Sequence, residues 1–70
     1  MVTEEDLWIT KYAQEKMVNE GISMKQVLEA LERGAKFQQT GGLLSVYTYF
    51  SVAYKIVNGK YLIKTVFLNR

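Results

Sequence analysis

With neither histidine nor cysteine among its 70 residues, this chain has no imidazole and no thiol with which to do chemistry. Imidazole bases, thiolate nucleophiles, disulfides and the commonest zinc ligands are excluded together. No Gly-rich phosphate loop and no metal-ligand spacing occurs either, so no cofactor is expected. What remains is charge. Nine Lys or Arg stand against seven Asp or Glu, a net +2 that is too weak by itself to argue for nucleic acid. Its distribution carries more: all seven acids lie at or before Glu32, and six of the nine basic residues lie at or after Arg33. In the basic half, Lys55, Lys60, Lys64 and Arg70 are candidate phosphate contacts, and Tyr47 and Tyr49 candidate stacking rings for bases. Lysines in strands also guard sheet edges against aggregation, a use that needs no ligand. Glu4, Glu5 and Asp6 read as a helix-start or solvated cluster rather than a hydrolase pair.

The elements that would position these residues follow from punctuation and periodicity. Gly21 and Gly34 each stand where the residue after a helix is expected. Between them Ser23-Met24-Lys25-Gln26 has the capping-box pattern, Val27, Leu28 and Leu31 fall at helical spacing, and Glu29 and Arg33 form an i,i+4 pair. A helix over about 24–33 is predicted. An earlier helix is marked by Ala13 and Met17. Its start is either Thr10, leaving Leu7-Trp8-Ile9 extended, or Thr3, and the faces of Leu7, Trp8, Ile9 and Tyr12 favour Thr10. Trp8 is expected to close one end of the core, with an exposed interface anchor as the alternative.

After Gly34 the composition turns β-branched and aromatic. Gly41-Gly42 and Asn58-Gly59 signal hairpins, and strands are expected over about 35–40, 43–49, 51–57 and 60–68. The fold class is therefore α+β: two N-terminal helices packed on one face of a three- to four-stranded antiparallel sheet. A two-residue Asn58-Gly59 turn pairs Val57 with Lys60, Ile56 with Tyr61, Tyr54 with Ile63 and Val52 with Thr65. Val52, Tyr54, Ile56, Tyr61, Ile63 and Phe67 then face the helices. Ser51, Ala53, Lys55, Lys60, Leu62, Lys64 and Val66 face away.

Residues 12–23, Tyr-Ala-Gln-Glu-Lys-Met-Val-Asn-Glu-Gly-Ile-Ser, resemble the opening motif of the DUF 4258 domain family, roughly H-A-x-x-R-M-x-x-R-G-I-S. In that family a second helix, a Gly and antiparallel strands follow, and the fit extends through Val27, Leu31 and Gly34. The family is similar to ribonuclease toxins of the barnase and RelE type, whose sheet carries the RNA site. The resemblance implies an endoribonuclease-like protein of toxin–antitoxin kind. The motif's histidine falls at Tyr12, its first arginine at Lys16 and its second at Glu20, while Ala13, Met17, Gly21, Ile22 and Ser23 match. The implied catalytic pair is Tyr12 and Lys16, one helical turn apart, with the ammonium favouring the phenolate. The alternative is a fold kept for binding alone, to RNA or the ribosome, to an antitoxin-type protein, or to a second copy.

Size and hydropathy set the remaining bounds. Seventy residues make one domain whose core stabilises only marginally, so a partner covering apolar surface would help. No apolar run approaches the roughly 20 residues that span a bilayer. Met1 to Asp6 is acidic, unlike a signal peptide, and a cytoplasmic protein without membrane association is expected.

Overall fold

Thr10 starts the first helix: its hydroxyl accepts from the Ala13 N–H at 3.0 Å. In the computed structural model, which describes residues 1–69, a short 3-10 turn (Glu4–Asp6) leads into β1 (Leu7–Ile9). Helices α1 (Lys11–Glu20) and α2 (Met24–Arg33) follow. Strands β2 (Ala35–Gln39), β3 (Gly42–Tyr47), β4 (Phe50–Val57) and β5 (Lys60–Leu68) complete the chain. α1 ends at Gly21 in the left-handed region, φ 69°, which costs glycine nothing. At α2 the capping box forms in both directions. The Gln26 N–H donates to Ser23 Oγ at 3.2 Å, and the Ser23 N–H donates to Gln26 Oε1 at 2.8 Å. Among the described residues the one ion pair joins Lys16 and Glu20, so the expected Glu29–Arg33 pair is not made.

Gly34 departs from expectation. Its φ is −69°, ordinary extended backbone, and the glycine is needed for space. A Cβ there would fall 2.6 Å from the Ala30 carbonyl oxygen and closer still to Ser45 Oγ. Ser45 donates its hydroxyl to that same carbonyl, so β3 meets the end of α2 with no room for a methyl.

The sheet is five-stranded and mixed, in the order β1-β5-β4-β3-β2. β1 runs parallel to β5, pairing Trp8 with Leu62, while the other ladders are antiparallel. The expectation of a three- or four-stranded antiparallel sheet after N-terminal helices is thus corrected by one strand that precedes them. Three residues bounded by a 3-10 turn and a helix cap are too few to show alternation. The Asn58-Gly59 turn forms as expected, both residues at positive φ (50° and 77°), with Val57 opposite Lys60, Ile56 opposite Tyr61 and Tyr54 opposite Ile63.

Beyond Ile63 the register shifts. Ala53 pairs with Thr65 and Val52 with Val66, leaving Lys64 as the extra residue of a β-bulge. One inserted residue reverses the faces of all that follow. Val66 is fully buried under the helices, and Phe67 turns to the opposite face. The core joins Ala13 and Met17 of α1 and Val27, Ala30 and Leu31 of α2 to Phe50, Val52, Tyr54, Ile63 and Val66. At about 1.5–3 kcal/mol per large apolar side chain, this is the main stabilising term. Ile56, expected under the helices, is 50% exposed because it lies beyond them near the hairpin tip.

Candidate functional site

The face of the sheet turned away from the helices is assembled from the ladder registers. Residues directly opposite each other share a face, and alternate residues along a strand do too. Rows across the sheet therefore read Ala35–Val46–Ser51–Phe67, then Phe37–Leu44–Ala53–Thr65, then Gln39–Gly42–Lys55–Leu62–Trp8, and finally Val57–Lys60. Three rings stand exposed there: Phe37 (53%), Trp8 (46%) and Phe67 (37%). None of the five strands contains an acid.

Lys55, Lys60 and Lys64 reach this surface by alternation along β4 and β5. Lys64 follows the buried Ile63, the bulge bringing Thr65 to the same face, and its Nζ donates to the Gly41 carbonyl at 3.3 Å. Its ammonium crosses β4 above Gly42: a Cβ on that residue would sit 3.6 Å from Lys64 Nζ and 3.6 Å from Lys55 Cβ. At the far corner Lys60 Nζ donates to the Glu5 carbonyl at 2.8 Å. This ties the 3-10 turn beside Trp8 to the sheet. Within that turn the Thr3 N–H donates to Asp6 Oδ2 at 3.0 Å and holds the Asp6 carboxyl below the usual aspartate pKa.

Tyr12 and Lys16 lie elsewhere. Both project from α1, in the layer on the other side of the sheet. Lys16 Nζ is 3.4 Å from Glu20 Oε1, so its charge is directed at the position where the resembled motif has arginine. Lys16 and Glu20 border a shallow hollow with Phe67, Leu68 and Asn69, at the end of β5. Lys60 is at that strand's beginning, seven residues or about 23 Å away. The implied catalytic pair and the lysines of the sheet are not gathered into one pocket. Tyr12 is exposed.

Two expected stacking rings are also misplaced. Tyr47 packs edge-on against Phe50 on the helix side, with ring centroids 6.0 Å apart, and the Tyr49 hydroxyl accepts from Gln26 Nε2 at 2.9 Å. Arg70 lies outside the described residues. Trp8 does not close the core. It lies on the open face through the β1–β5 pairing, as its alternative reading as an exposed anchor allowed. Phe37 was available from alternation along β2, whereas Phe67 was hidden by the bulge. Compared with known proteins, the chain matches no family model, no curated protein and no solved structure.

Proposed function

We propose that this protein is a binding module that contacts single-stranded RNA through its open sheet face, without a catalytic centre. The observation that carries this is the joint placement of Trp8, Phe37 and Phe67 with Lys55, Lys60 and Lys64 on one face of strands that contain no acid. Unpaired bases stack on exposed rings at about 1–3 kcal/mol each, and lysines between the rings neutralise phosphates. The similarity of residues 12–23 to the DUF 4258 motif supports an RNA-directed ancestry, and the same residues argue for binding alone. Tyr12 and Lys16 replace the motif's histidine and arginine, and Lys16 is paired with Glu20.

A second reading is favoured by the aliphatic surface between the rings, where Leu44, Val46 and Leu62 are only partly buried: an antitoxin-type protein covers the face. Titrating the emission of Trp8, the sole tryptophan, with oligouridylate at several salt concentrations separates the two. RNA binding quenches it and weakens with salt, with a log–log slope near −2 for three contacts at about 0.7 per phosphate. The Lys55, Lys60, Lys64→Ala variant flattens that slope. Wild-type protein that shows no salt-sensitive quenching overturns the RNA reading and leaves the protein partner.

A further inference from the structure

The two edges of the sheet are unequal. β1 forms one edge and presents only three residues, bounded by the 3-10 turn before it and the helix after it. β2 forms the other, and all five of its residues are exposed. Natural sheets protect long edges with proline, bulges or several charges. β2 has none of these: the chain contains no proline, and the β2–β3 register runs unbroken from Ala35 to Gln39. Its one charge, Lys36, folds its ammonium back onto the Gly34 carbonyl at 2.8 Å.

We infer that β2 is a self-pairing edge, on which a second copy of this chain adds its own β2 antiparallel about a two-fold axis at Phe37. Hydrogen-bond phase selects this register. In an antiparallel ladder, residues alternately direct their N–H and C=O toward the partner and away from it. Gln39 and Gly42 close the Thr40–Gly41 turn, so Gln39, Phe37 and Ala35 spend their backbone groups on β3. Lys36 and Gln38 point theirs outward. A two-fold pairing must therefore match outward residues with one another. Centred on Lys36, it sets two ammonium groups directly opposite, which is unfavourable. Centred on Gln38, it brings Lys36 opposite Thr40, in the turn and past the end of the strand. Centred on Phe37, it pairs Lys36 with Gln38 of the second copy, twice, through four backbone hydrogen bonds. The two Phe37 rings then meet on the open face, in the closely spaced kind of pair. Such an interface is isologous and closes at two copies. It joins the two sheets into one of ten strands, with both open faces on the same side. The inference is independent of what those faces bind.

Sedimentation velocity over a range of concentrations tests it, together with amide exchange read by NMR. The expected result is a mass that doubles from 8.1 kDa as concentration rises, with the Lys36 and Gln38 amides slowing in parallel. The Phe37 amide, already bonded to β3, does not change. Phe37→Cys places the only thiol at the two-fold axis and yields a disulfide-linked dimer on mild oxidation, while Val18→Cys, on the outer face of α1, does not. Phe37→Lys puts two ammonium groups face to face and restores the single-chain mass. A chain that remains a monomer at every concentration overturns the proposal. So does a dimer that survives Phe37→Lys, or one formed without protection of Lys36 and Gln38.

Discussion

Gly34 and Gly21 look alike in the sequence and do different work. Gly21 has a left-handed backbone with open space around it; Gly34 has ordinary dihedrals and no space. Gly21→Ala should cost about 1 kcal/mol, and Gly21→Asn should recover part of that, since asparagine tolerates positive φ. Gly34→Ala should cost about 1–3 kcal/mol by overpacking against Ser45 and Ala30, and asparagine there should be worse still. Thermal melts of the four variants distinguish the two mechanisms. Sequence position identifies a glycine after a helix, but only the approach of β3 reveals why Gly34 is one. A second residue-scale effect belongs to Tyr54. Burial, and then the neighbouring Tyr61, raise its phenol above the ordinary tyrosine pKa. The neutral form is therefore favoured in the fold. That contribution is fully present below about pH 10, the unfolded value, and is lost as pH rises through the folded one. Tyr54→Phe should move the midpoint of alkaline unfolding upward, as followed by circular dichroism.

At the scale of elements, the readable parts were those whose signal is local. The Ser23 capping box, the Thr10 cap and the Asn58-Gly59 turn each announce themselves within four residues, and each forms. The β3–β4 turn does not, because its left-handed residue is Thr48 at φ 49°, a β-branched residue that disfavours that region. Thr48→Gly should stabilise the protein by up to about 1 kcal/mol, measured by denaturant titration. The bulge at Lys64 is invisible for a different reason. Alternation in β5 reads equally well in either phase, since Val66 and Phe67 are both apolar, and only the fit against α1 and α2 decides between them. The consequence is sharp. Val66→Ala should cost about 2 kcal/mol as a core truncation, while Phe67→Ala should cost less than about 1 kcal/mol and instead weaken RNA binding. An unbulged strand would show the reverse order of stabilities.

At the scale of the molecule, the acids are confined to the segments before β2 and the sheet is left basic and ringed. This division was already visible as the split between residues up to Glu32 and residues from Arg33 onward. The sequence could not show that the candidate residues fall into two layers, since helix α1 and the open face are related only through the packed core. Phosphoryl chemistry on RNA needs a base, a proton donor and a cation within reach of one phosphate. Here Lys16 is paired with Glu20 and borders the end of β5, whereas Lys55 and Lys60 hold the Asn58-Gly59 end of the opposite face. An RNA strand lying across Trp8, Leu62 and Lys55 is separated from the Tyr12 hydroxyl by the sheet itself. Tyr12→Phe removes that hydroxyl from an exposed ring and should leave both the melting temperature and the oligouridylate affinity unchanged. Labelled RNA incubated with either protein should run at full length on a denaturing gel. Cleavage by the wild type that disappears in Tyr12→Phe, with affinity retained, would instead make α1 a catalytic element and its tyrosine the base.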